Sequence, residues 1–112
     1  MTQETVNKIS DIFKVLSHPV RLQVLQVIGK GEACVCHLEA QLDIRQATLS
    51  QHLMVLREAD LLDTRREGRY IFYRLANSDV LDIIQDSANL MGIEFNINET
   101  THNACECPKC CE

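Results

Sequence analysis

Six cysteines carry the most distinctive chemistry of this chain. They fall in two groups, Cys34-Val35-Cys36 and the terminal run Cys105-Glu106-Cys107-Pro108-Lys109-Cys110-Cys111. Thiolates are soft donors, so such a set selects As(III), Cd²⁺, Pb²⁺, Cu(I) or Zn²⁺ over hard cations. Three thiolates suit As(III), and four suit a tetrahedral Cd²⁺ or Zn²⁺. The same thiols can instead form disulfides or polysulfide bridges. Residues two apart lie about 200° around a regular helix, so Cys34 and Cys36 can hold one ion only at a helix start or in an unwound turn. About 13 residues between Met91 and Cys105 reach roughly 40 Å when extended. The four terminal cysteines can therefore close on Cys34 and Cys36 of their own chain or of a partner, or form a separate soft-metal site. Cys107-Pro108-Lys109-Cys110 has the spacing of a thioredoxin-like redox motif, which belongs at a helix start after a strand. Here it ends the chain, and no Ser/His/Asp arrangement or phosphate-cradling glycine loop accompanies it. Catalysis is not expected.

Composition narrows the setting. No apolar stretch approaches the length of a membrane span, and the first residues, Met1 to Glu4, show no basic run leading into an apolar one. The expectation is a cytoplasmic chain with reduced thiols, whose cysteines read as metal-binding or redox-active rather than as a disulfide framework. The net charge of −5 argues superficially against nucleic acid, yet it is unevenly distributed. Ile44 to Leu75 carries six arginines against four acids, whereas Ala76 onward carries seven acids and one lysine. A basic middle segment matters more for a DNA footprint than overall pI.

Helical apolar spacing predicts a first helix from about Thr5 to Leu16 and a second beginning near Pro19, stopped by Gly29 and Gly31. A short third helix is expected over about Val35 to Leu42, then a turn at Asp43-Ile44-Arg45. A fourth covers about Gln46 to Ala59, its buried side marked by Leu49, Leu53 and Leu56. Two short helices joined by a tight turn form a helix-turn-helix, whose second helix enters the major groove. Leu61 to Leu75 reads as a β-hairpin with arginines near its Glu67-Gly68 tip, the position of a wing. A fifth helix, about Ser78 to Met91, carries Leu81 and Ile84 on an apolar stripe expected to pair with the first helix across a dimer two-fold. The fold class is thus mainly α with a small β-hairpin: a winged helix-turn-helix of five helices plus wing, as a homodimer. Residues 1–92 form the DNA-binding and dimerisation domain. Residues 93–112 are expected to be a flexible Cys-rich tail.

Candidate DNA contacts follow from this placement. Gln46, Thr48, Ser50 and Gln51 give the fourth helix short polar groups for base edges and phosphates, and glutamine can pair bidentately with adenine. Arg45 stands at the helix start, placed for a phosphate. Arg65, Arg66 and Arg69 on the hairpin can reach phosphates or an adjacent minor groove. His18 and His52 are read as structural, and Tyr70, Phe72 and Tyr73 as packing residues.

In order, Leu16-Ser17-His18-Pro19-Val20-Arg21-Leu22, Cys34-Val35-Cys36-His37-Leu38, Thr48 to Ala59 and Arg65-Arg66-Glu67-Gly68-Arg69-Tyr70-Ile71-Phe72-Tyr73 resemble the ArsR/SmtB winged-helix metalloregulators, over about Val6 to Met91. The resemblance implies a homodimeric repressor of an efflux or detoxification operon, released from operator DNA on inducer binding. It marks Cys34 and Cys36 as the signature of sensors for arsenite, antimonite, cadmium or lead. Some members carry a third cysteine three residues further on, where this chain has Glu39. Zinc and nickel members build a second site on the last helix from Asp and His. Here that helix has Asp79, Asp82 and Asp86 but no histidine, so such a site is not expected. The stretch from Arg45 to Arg74 also resembles members that sense sulfide through two distant cysteines, which keeps a redox or persulfide sensor as the alternative reading.

Overall fold

The computed structural model describes residues 2–97. Its elements run α1 (Gln3–Leu16), α2 (Pro19–Ile28), β1 (Glu32–Cys34), α3 (Val35–Leu42), α4 (Gln46–Glu58), β2 (Leu62–Glu67), β3 (Tyr70–Leu75) and α5 (Asp79–Met91). All five helices lie where the apolar spacing puts them. Local chemistry sets their ends. Thr2 caps α1 by accepting from the Thr5 amide, and His18 caps α2 through Nδ1, with Pro19 in the first turn, where its missing N–H costs nothing. Asp43 closes α3 in the left-handed region, φ 52° and ψ 49°, turning the chain into α4.

The wing is larger than the expected hairpin. Strand β1 adds to it, so the sheet has three antiparallel strands in the order β1-β3-β2. Three residues, Glu32-Ala33-Cys34, are too few to show an alternating pattern, and their pairing partner is some forty residues away in the chain. Across the sheet Cys34 stands opposite Phe72, and Phe72 opposite Arg65. The hairpin turns on two residues, Gly68 and Arg69, between Glu67 and Tyr70. Gly68 has φ +60°, the positive φ such turns require and a side chain resists.

The core is aliphatic. Val24, Leu25 and Ile28 of α2, Leu38 of α3, Leu49, Leu53 and Leu56 of α4, and Val80, Leu81 and Ile84 of α5 pack into one cluster. Phe72 and Cys34 form a second buried pair, with Cys36 and Tyr70 packed against it. Leu81 and Ile84, expected at a dimer face, are instead inside their own chain, 3% and 8% exposed. The outward apolar surface comes from their neighbours: Val6, Ile9 and Phe13 on α1, and Ile83, Leu90 and Met91 on α5. Residues 93–97, assigned to the tail, lie against the domain. Phe95 and Ile97 pack on the core, and the Gln26 side-chain amide donates to the Asn96 carbonyl at 2.6 Å. No helix of the described residues is long and apolar enough to cross a membrane.

Candidate functional site

Cys34 ends β1 and caps α3. Its backbone is extended, φ −84° and ψ 164°, and its Sγ accepts from the His37 amide at 3.3 Å. Cys36 follows in the first helical turn. Because Cys34 lies outside the helix, the 200° separation of two helical residues does not apply. The sulfurs face one another at 2.8 Å, each able to donate the shared hydrogen bond. Both are thiols, Cys34 buried and Cys36 half-buried. A helix start was one of the two geometries in which this spacing could chelate, and it is the one the chain adopts.

The thiols open into a cavity of about 290 Å³ whose wall also includes Glu39, Gln46, Arg69 and Tyr70. The cavity thus joins the α3 start to the first residue of α4 and to the turn of the wing. Glu39, where a third cysteine would stand, is part of that wall. Among the described residues no three His, Cys, Asp or Glu side chains converge as a metal cage. The described chain supplies two thiolates, and any third or fourth donor has to come from elsewhere. Cys105, Cys107, Cys110 and Cys111 lie outside the described residues.

Helix α4 buries Leu49, Leu53 and Leu56 and leaves Gln46, Thr48, Ser50 and Gln51 exposed. Arg45, its N-cap residue, is exposed and makes no side-chain cap. Arg66 and Arg69 are exposed on the wing. Arg69 lies over the Tyr70 ring at 5.3 Å, and its Nη2 donates to the Tyr70 hydroxyl at 3.2 Å. Arg65 differs from the other two. Its Nε and Nη2 donate to the two carboxylate oxygens of Glu32 at 3.0 Å each, and Nη1 reaches Glu67 at 3.3 Å. The hydrogen bonds that Arg65 donates to Glu32, chiefly, raise the guanidinium pKa above its ordinary value. It also stacks on Phe72, 4.6 Å from the centroid. Sequence reading placed Arg65 with the DNA contacts. In the structure it bridges β1 and β2 through Glu32, two residues before Cys34, and reaches Glu67 as well.

Both expected structural histidines take that part. The His18 and His52 rings lie 4.2 Å apart, and Arg21 Nε donates to His52 Nδ1 at 3.2 Å while Nη1 donates to the Val15 carbonyl at 3.1 Å. Arg21 was not singled out from sequence, although it ties α1 and α2 to α4. Burial, then the charges of His18 and Arg21, lower the His52 pKa below its ordinary value.

Comparison with known proteins agrees with this architecture. The family described as "Bacterial regulatory protein, arsR family" matches residues 18–64. A biofilm growth-associated repressor of Agrobacterium fabrum is 47% identical over 83 residues, 74% of this chain and 71% of that protein. An arsenical resistance operon repressor of Staphylococcus aureus is 34% identical over 100 residues, 89% and 88% of the two chains. The crystal structure of the transcriptional repressor BigR from Xylella fastidiosa superposes with a TM-score of 0.70 at 39% identity, covering 80% of this chain and 96% of that one. With its winged helix-turn-helix and its close relatives, the chain belongs to the arsR family of bacterial regulatory proteins.

Proposed function

We propose that the chain is a homodimeric transcriptional repressor that leaves its operator when Cys34 and Cys36 capture arsenite or a thiophilic divalent ion, Cd²⁺ or Pb²⁺ before Zn²⁺. The observation that carries this reading is the thiol pair itself, two sulfurs 2.8 Å apart at the start of the helix that leads into α4. Metal–sulfur bonds are about 2.3 Å long for Zn²⁺, so the two side chains must spread to admit an ion between them. Spreading them draws Cys34 Sγ from the His37 amide, loosening the first turn of α3. Cys105, Cys107, Cys110 and Cys111 complete the coordination of Cd²⁺ or Pb²⁺ in this reading, whereas arsenite is held by Cys34 and Cys36. On the DNA side, Arg45, Gln46, Thr48, Ser50 and Gln51 face the major groove, and Arg66 and Arg69 the flanking phosphates. The exposed apolar residues of α1 and α5 form the two-fold contact.

A second reading has separate support. The relative with 47% identity is named for biofilm growth and not for a metal, and paired sulfurs suit disulfide or polysulfide formation as well as chelation. Native mass spectrometry of the reduced dimer, titrated in turn with sodium arsenite, cadmium chloride and glutathione persulfide, separates the two. Fluorescence anisotropy of the duplex upstream of its own gene reports release in the same samples. The leading reading requires release by arsenite or Cd²⁺ with an adduct on Cys34 and Cys36. Release by persulfide alone, with both metals inert, overturns it in favour of the second.

A further inference from the structure

We infer that the cavity beside Cys34 and Cys36 is a seat shared by inducer and operator, in which Gln46 and Arg69 bind whichever of the two is present. This rests on the thiol-sensor reading above and gives it a mechanism of release. Three separate pieces of chain line one volume of about 290 Å³: the thiols at the start of α3, Gln46 at the start of α4, and Arg69 with Tyr70 at the wing turn. The volume exceeds what a single water needs by a wide margin. It therefore takes an ion together with whatever substituent the ion retains.

The chemistry of the walls suits an oxygen-bearing substituent. With arsenite the step is As(OH)₃ + 2 RSH → (RS)₂As–OH + 2 H₂O. Two As–O bonds break, two As–S bonds form, both thiol protons leave in water, and no oxidation state changes. Bound by Cys34 and Cys36 alone, the arsenic keeps one hydroxyl; among the described residues no third His, Cys, Asp or Glu converges with the pair. The space that hydroxyl enters is lined by the Gln46 amide, the Arg69 guanidinium, the Tyr70 phenol and the Glu39 carboxylate, the last able to accept from the hydroxyl. Arg69 lines that space, lies over the Tyr70 ring and donates to its hydroxyl. A guanidinium that holds the adduct is no longer directed at a DNA phosphate, and a Gln46 amide turned inward no longer reads a base. Release is then competition for the same two side chains, added to any loosening of α3. Linkage requires the operator to weaken the inducer by the factor with which the inducer weakens the operator.

The test measures arsenite binding with no DNA present, where a residue that only touched DNA would have no effect. Sodium arsenite is titrated into the reduced full-length dimer, following the sulfur–arsenic absorption in the ultraviolet, for wild type, Arg69→Ala, Gln46→Ala and Arg57→Ala. Arg57 is an exposed cation in the last turn of α4, 11 residues from Gln46, and controls for charge alone. The expected result is a loss of about five- to tenfold in arsenite affinity for Arg69→Ala and for Gln46→Ala, the size of one hydrogen bond, and no change for Arg57→Ala. Wild-type affinity in Arg69→Ala and Gln46→Ala overturns the shared seat while leaving the thiol sensor standing. An equal loss in Arg57→Ala overturns it too, since bulk charge would then be the cause. No absorption band in the wild type overturns the sensor and the seat together.

Discussion

Replacing Cys34 by serine and, separately, by alanine divides its two roles. Cys34 is 1% exposed, has the extended backbone of an N-cap, and accepts from the His37 amide at 3.3 Å. Serine keeps an acceptor at that position, and a hydroxyl oxygen accepts more strongly than a sulfur. Alanine leaves the His37 amide buried without its cap, at about 1 kcal/mol. For a domain of this size that corresponds to a fall of roughly 4–8 °C in Tm. Urea unfolding at one fixed protein concentration is the assay, because the stability of a dimer depends on concentration. The midpoint of Cys34→Ala should fall with an unchanged slope, and that of Cys34→Ser should stay at or above wild type. Neither variant should release operator DNA on adding arsenite or Cd²⁺, because a soft ion has lost a thiolate. Serine destabilising as much as alanine would refute the capping argument. A serine variant that still responds to arsenite would remove Cys34 from the ligand set.

Phe13→Glu or Leu90→Glu should convert the proposed dimer to a folded monomer in analytical ultracentrifugation, since these side chains are 55% and 88% exposed in the single chain; persistence of a dimer would place the interface elsewhere. Arg69→Ala should reduce the salt dependence of operator binding by roughly one unit per phosphate lost. Gln46→Ala should instead relax sequence preference, and Arg65→Ala should leave the salt slope unchanged because Glu32 and Glu67 already neutralise it. Acid should weaken the α2–α4 contact. The His52 pKa is lowered on folding, so the neutral ring is the form that stabilises: stability is full above the ordinary value near 6.5 and declines as pH falls through it toward the folded value. His18 and Arg21 are the charges facing that ring. Chemical denaturation at pH 7.5 and 5.5 should show the loss, and His52→Gln should reduce it. Truncation after Asn103 should weaken Cd²⁺ binding in calorimetry and leave operator affinity nearly intact; an unchanged Cd²⁺ affinity would remove the terminal cysteines from the site.

The helices were legible because their determinants are local. Leu49, Leu53 and Leu56 recur at helical spacing, Pro19 and Gly29 punctuate, and Gly68 marks a turn whatever surrounds it. The exposed row Gln46, Thr48, Ser50 and Gln51 follows from the same periodicity, as the face opposite the leucines. The thiol pair was half legible. Spacing allowed two geometries, and the extended backbone of Cys34 selected one, which depends on β1 pairing with β3.

By itself, the order of residues determined the helix-turn-helix, the wing, the soft-donor character of the cysteines and the basic middle segment, because periodicity, turn chemistry and side-chain type act within a few residues. Tertiary structure decided what depends on partners distant in the chain. Glu32, 33 residues before Arg65, ties that arginine across the sheet to β1. Packing against α2 buries Leu81 and Ile84 and leaves Phe13, Ile83 and Leu90 as the apolar surface. Only the folding of α3, α4 and the wing around one cavity puts Cys34, Cys36, Gln46 and Arg69 side by side. Such contacts are set by the summed burial of the core, which no local window of sequence contains.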